Sequence, residues 1–220
     1  MSLPQIKHPL AEITVPSLKK KLRFRPFTVE EEKIMLMAAS SKNDSPILAT
    51  KQVLNNCCAD TLDVDKLVSF DLEWLFIQLR AISVSNILEV TIDDETIQVD
   101  LNNVKIEYPA STDNRIMLSE EDKIGVVLKY PTYNDLEQFS ESKDGSLTKV
   151  IIEQIFQGEQ VFDPKEYTEE EIQTFLNRLS VAQMNKIETW IDNIPYVYLD
   201  VTLKNGTTQR LRGIRDFFAF

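Results

Sequence analysis

The stretch from Asp63 to Val90, DVDKLVSFDLEWLFIQLRAISVSNILEV, constrains this chain more than any other. Leu72, Leu75, Phe76, Leu79 and Ile82 fall at i, i+3, i+4, i+7 and i+10, which is one stripe of an α-helix. Ser69 or Asp71 is placed to cap its start, Asp71 and Glu73 suit the positive end of the helix dipole, and Arg80 suits the last turn. Trp74 and Ile77 widen the stripe, so this is expected to be the central core helix, with neighbours on more than one side. A helix of this kind specifies a fold and no chemistry.

The rest of the chain is read around it. Residues 1–20, with Pro4, Pro9 and Pro16, read as an extended basic arm. KLRFRPF at Lys21 to Phe27 alternates basic and apolar residues, placing Leu22 and Phe24 inward and Lys21, Arg23 and Arg25 outward. Thr28 and Glu31 form a T-x-x-E capping box that opens a helix through about Ala39, and Ser45-Pro46 opens a second through Cys58, with Ile47, Leu48, Val53 and Leu54 inward. Beyond Ser85 the period falls to two. Leu88, Val90 and Ile92, then Ile97, Val99 and Leu101, then Val104 and Ile106 predict three short antiparallel strands, the first pair turning at Asp93, Asp94 and Glu95. After a loop at 109–114, strands are expected at Ile116 to Leu118 and Ile124 to Tyr130. A mainly helical block follows, at 133–139, 147–157, 168–179 and 181–193. YVYLDVTLK, Asn205-Gly206 and TTQRLRG then spell a hairpin with a type I′ turn. The fold class expected is α+β: an N-terminal helical cluster with a short antiparallel β-meander, then a helical block ending in a C-terminal β-hairpin. The divisions expected are 1–20, 21–110 and 111–220, with one continuous domain as the alternative.

Charge and residue usage exclude several functions. The net charge of −11 is uneven: Met1 to Val29 carries +5, from six basic residues against Glu12, and the remainder carries −16. So acidic a chain is a poor nucleic-acid binder, since phosphate neutralisation needs many cations on one surface. No apolar run approaches the roughly twenty residues needed to span a bilayer, and no signal peptide opens the chain. Cys57 and Cys58 are adjacent, which disfavours a disulfide between them and fits reduced thiols on a helix made in the cytoplasm. The single histidine, His8, lies in the arm, so a Ser-His-Asp or Cys-His site lacks its base. Five scattered glycines give neither a P-loop nor a dinucleotide fingerprint. Asp63 and Asp65 begin like a calcium loop, but Val68 and Trp74 occupy its sixth and twelfth positions. The acidic clusters Glu30 to Glu32 and Glu169 to Glu171 are the basis of an alternative reading, a metal-dependent enzyme; helix first turns account for them more simply. No catalytic residue, metal ligand or cofactor is therefore assigned.

KLRFRPFTVEEEKIMLMA, followed by LDVDKLVSFDLEWLFIQLRAISVSNILEV and the closing GIRDFF, resembles the family of baseplate hub assembly proteins of T4-like bacteriophages. The likeness runs over essentially the whole chain and is strongest from Leu22 to Glu89. It implies a non-enzymatic protein that acts in assembly of the central hub of a contractile-tail baseplate, as assembly factor or minor hub component. Its partners would be hub proteins, with neither nucleic acid nor membrane involved and self-association left open. Its place would be the host cytoplasm during assembly, or the virion tail. Some relatives carry cysteine in the hairpin after the central helix, in the manner of a metal knuckle; here Asp93, Asp94 and Glu95 stand there, and a zinc role does not carry over. Candidate contact residues are Lys19, Lys20, Lys21 and Arg23 on the basic arm, and Arg25 and Arg80, which either pair with a carboxylate such as Asp71 or Glu73 or face a partner. At the C-terminus, Phe217 is expected inward, with Phe218 or Phe220 offered to a partner.

Overall fold

Ala11–Val15 (β1) and Lys20–Phe24 (β2) pair antiparallel, with Ile13 opposite Leu22. The computed structural model describes residues 6–40, 46–92, 95–111, 113–136 and 147–217. Strand β1 lies within the segment read as an extended arm. Its A-E-I-T-V alternation buries Ile13 and Val15, as β2 buries Leu22 and Phe24, and the prolines around β1 only bound it. Val29–Ser40 (α1) and Pro46–Cys57 (α2) follow. The extension of β2 meets the end of α2, where Arg25 N–H donates to the Cys57 carbonyl at 2.9 Å and Ala59 N–H to the Arg23 carbonyl at 2.8 Å. Leu48, expected inward, is exposed, and Ala49 and Val53 take the buried positions of α2. Ser45, the expected cap, lies outside the described residues.

Ser69–Ser83 (α3) is the core helix: Phe70, Leu72, Leu75, Phe76, Ile77 and Leu79 are all buried, while Ile82 at its end is exposed. Neither Ser69 nor Asp71 caps it. Val68 occupies the cap position without a side-chain bond, and the buried Asp71 carboxylate instead accepts from Ser17 N–H at 2.8 Å and from Ser17 Oγ. Ile87–Ile92 (β3) and Glu95–Asp100 (β4) form a hairpin, whose turn residues Asp93 and Asp94 lie outside the described residues. The expected third strand of a meander, Lys105–Glu107 (β5), does not join them; it pairs with a strand ninety residues further on.

Between those partners the chain builds a second unit, residues 108–195. Arg115–Ser119 (β6), Ile124–Leu128 (β7), Ile152–Gln157 (β8) and Gln160–Phe162 (β9) make a four-stranded sheet in that order. Leu147–Ile151 (α4) leads into β8, and Glu169–Asn177 (α5) and Val181–Asp192 (α6) cover one side of the sheet. Both larger helices open on full capping boxes, Thr168 with Glu171 and Ser180 with Gln183. The core joins Leu118, Val126, Leu128 and Ile152 to Ile172, Leu176 and Ile187.

The chain then returns as Tyr196–Thr202 (β10) and Thr208–Arg212 (β11), ending in Gly213–Phe217 (α7). Strand β10 lies between β11 and β5, and Val197, Leu199 and Val201 are buried on its inner side, where β10 and α7 pack on α3. Residues 1–107 and 196–220 thus form one compact unit.

The expected arrangement, an N-terminal helical cluster and then a helical block with a hairpin at its end, is wrong. Among the described residues eleven strands in four sheets run through the whole length. The largest error is 147–157, expected to be one helix and in fact one helical turn followed by β8. A bulge is the physical cause. Val127 stands opposite Gln154 but Leu128 opposite Ile152, so one extra residue turns Ile152 and Ile155 to the same side of the sheet and gives a strand the spacing of a helix.

Candidate interaction surface

The basic residues near the N-terminus divide into exposed lysines and arginines that pair within the fold. Lys19 sits in the β1–β2 turn at φ 51°, and Lys20 opens β2; both are exposed. Lys21 reaches Glu12 at 3.3 Å across the hairpin, with both side chains in solvent. Arg23 grips Asp60 through Nε at 3.1 Å and Nη2 at 2.6 Å, and its backbone N–H adds a bond of 2.7 Å to the same carboxylate. Arg25 forks onto Glu31 at 2.8 and 3.1 Å, and Glu31 also accepts from Thr28 N–H and Thr28 Oγ1, each at 2.8 Å. The Arg25 guanidinium, helped by the Thr28 bonds, holds the Glu31 carboxyl down at about 2. Arg25 therefore pairs with Glu31, not with Asp71 or Glu73.

Arg80 donates to the Ser85 carbonyl at 3.1 Å, bracing the chain where it leaves α3. Phe217 is buried at 2% exposure, whereas Phe218 and Phe220 lie outside the described residues. Of the residues chosen from sequence, Lys19, Lys20 and Lys21 are exposed at the β1–β2 turn, Arg23, Arg25 and Arg80 bond within their own unit, and Phe217 is buried in it.

The outer side of the β5–β10–β11 sheet carries a constellation that the sequence reading did not single out. With a period of two, burying Val197, Leu199 and Val201 turns Tyr196, Tyr198 and Asp200 outward, and the hairpin register sets Arg212 opposite Tyr198 and Arg210 opposite Asp200. Each guanidinium lies over a ring: Arg210 is 4.1 Å from the Tyr198 centroid and Arg212 is 4.0 Å from that of Tyr196. Arg210 also forks onto Asp200 at 2.7 and 2.9 Å, and the Tyr196 hydroxyl accepts from Arg210 at 3.1 Å and from Arg212 at 2.8 Å. The pairing lowers the Asp200 carboxyl and raises the Arg210 guanidinium, so both stay charged across ordinary pH. The result is an exposed Arg–Tyr ladder cross-braced by hydrogen bonds and ring stacking. The signal for it was present in the alternation of YVYLD and RLR around the Asn205-Gly206 turn.

The acidic clusters behave as helix starts. Glu31 turns inward to Arg25, and Glu171 accepts from Thr168 N–H at 2.8 Å. Among the described residues there is no group of three or more His, Cys, Asp or Glu side chains placed to hold a metal ion, and no helix is long and apolar enough to cross a membrane. A family model described as T4 bacteriophage base plate protein matches residues 8–219 of the chain. Neither the curated proteins nor the solved structures contain a match.

Proposed function

The chain belongs to the T4 bacteriophage base plate protein family, and on that premise we propose that it acts in assembly of the baseplate's central hub. It does so by protein–protein contact and without catalysing a reaction, as assembly factor or minor hub component. The observation that supports this reading is the Arg–Tyr ladder on β10 and β11. Arginine and tyrosine are the residues that most often dominate interface energy, and side chains already held in place lose less entropy when a partner covers them. The exposed lysines Lys19, Lys20 and Lys21 at the β1–β2 turn add positive charge for an acidic partner.

The test is complementation of a phage whose own copy of this gene is disrupted. Arg210→Ala with Arg212→Ala should leave a folded protein yet sharply reduce finished baseplates, with hub components accumulating unassembled. Wild-type assembly by that variant removes the ladder from the reading. Normal hubs in the complete absence of the protein remove the hub itself. A covalent change in a hub protein that depends on this chain, seen by mass spectrometry, would show that it is an enzyme.

A further inference from the structure

The unit formed by residues 108–195 carries most of the chain's net negative charge: seventeen acidic residues against eight basic ones give −9 of the total −11. It also holds an open apolar cleft of about 380 Å³ between the helix-facing side of its sheet and α5. Ile124, Ile155 and Phe162 form the floor, Ile172 and Phe175 of α5 form the wall, and Tyr167 closes one end. These are not spare core positions. Ile172 is buried, but Ile155, Phe162 and Phe175 are only half-buried, and Tyr167 is 41% exposed. Phe162 and Tyr167 meet edge to face with centroids 6.4 Å apart, which fixes the mouth of the cleft.

The charge at the mouth is acidic. Glu171 is the one charged residue lining the cleft, and with Glu170 it lines a second depression that continues along α5 past Phe175 to Arg178 at its far end. Glu169 completes the acidic first turn of that helix. Hydrogen bonds from Thr168 hold the Glu171 carboxyl below the usual carboxylate range, so the charge at the mouth is permanent at neutral pH.

We infer that this cleft is a docking site for a basic segment of another baseplate protein, one that inserts a single aromatic or branched aliphatic side chain with lysine or arginine on either side of it. A buried apolar anchor surrounded by complementary charge is the pattern that gives both affinity and orientation. The chain's own basic–aromatic stretch around Arg23 to Arg25 does not supply that segment from a second copy, because Phe24 is fully buried in its own unit. The inference concerns a surface apart from the Arg–Tyr ladder and is tested without reference to hub assembly.

The probes are three fluorescein-labelled peptides, KRFKR, KRSKR and EDFDE, read by fluorescence polarisation against the full-length protein. KRFKR should bind saturably, at least tenfold more tightly than either of the others, and should weaken as salt rises from 0.05 to 0.5 M. Tyr167→Ser, which empties the mouth, and Glu170→Lys, which reverses an exposed rim charge, should each weaken KRFKR at least tenfold while melting within a few degrees of the wild type. Equal binding of KRFKR and KRSKR would reduce the effect to charge alone and overturn the anchor. No saturable binding, or binding unchanged in both variants, overturns the site. Concentration-dependent self-association that Tyr167→Ser abolishes, seen by sedimentation, assigns the cleft to a second copy and overturns the hetero-partner.

Discussion

Glu31→Gln is the sharpest probe of how the first unit is held together. The Glu31 side chain is 2% exposed and accepts from Arg25 and Thr28. Its carboxyl is held at about 2 against an ordinary 4.5. At roughly 1.4 kcal/mol per unit, that difference corresponds to about 3 kcal/mol of folding stability at pH 7. Removing one partner of a buried ion pair costs roughly 3–5 kcal/mol. Arg25 keeps 29% of its side chain in solvent, so the lower end applies. Because the folded value lies below the unfolded one, the contribution is complete above about pH 4.5 and is lost as pH falls towards 2. Urea unfolding at pH 7, 5, 3 and 2 should show a wild-type advantage near 3 kcal/mol that shrinks to nearly nothing at the acid end. An advantage under about 0.5 kcal/mol at pH 7, or one that does not change with pH, would refute the account.

Three further outcomes are expected. Gly125→Ala should lower stability by roughly 1–3 kcal/mol, because a Cβ there would lie 2.3 Å from Phe156 Cζ and 2.5 Å from the Ile116 carbonyl oxygen; an unchanged melting temperature would mean that the sheet yields there at no cost. Phe217→Ala should cost roughly 3–5 kcal/mol, since the ring is 2% exposed; a stability loss under about 1 kcal/mol would show that α7 does not close the unit. Burial pushes the Cys57 thiol up to about 11 and raises Cys58 as well, so Ellman's reagent at pH 8 should titrate both only after unfolding; fast reaction of the native protein would contradict their placement.

What the sequence disclosed depended on whether the decisive neighbour was close in the chain. Helix α3, the capping box at Thr168 and the C-terminal hairpin follow from residues a few positions apart, and each is present. The turn of that hairpin, however, is not type I′, since Gly206 has φ 85° but Asn205 has no positive φ, and Gly206 N–H donates to the Leu203 carbonyl at 2.9 Å. Strand β8 was hidden because its bulge is defined by register with β7, some twenty-five residues earlier. The turn that follows it, Gly158-Glu159 with Gly158 at φ 60°, was a legible hairpin signal inside QGEQ. The partner of β5 could not be read at all, since it arrives only at Tyr196. Two of the candidate contacts were hidden as well. Arg23 and Arg25 looked free because Asp60 and Glu31, which pair with them, had no visible claim on them, whereas Lys19, Lys20 and Lys21 are exposed. The Arg–Tyr ladder needed only the hairpin register, and that register was available.

The pairing of Glu107 with Tyr196 fixes an order of events on the ribosome. Everything up to β5 emerges first, yet α3 still lacks the cover that β10 and α7 provide. All of residues 108–195 must then be translated before that cover exists. The inserted unit has its own core and can close while the earlier segment waits with part of α3 uncovered. A stop codon just before Tyr196 would therefore release a chain whose later-made unit has its core complete and whose earlier-made unit lacks its last strands. Such a product would be a target for chaperones and proteases, and only a full-length chain would present the Arg–Tyr ladder. The last strands thus act as a completeness check on the polypeptide before it can join a larger structure.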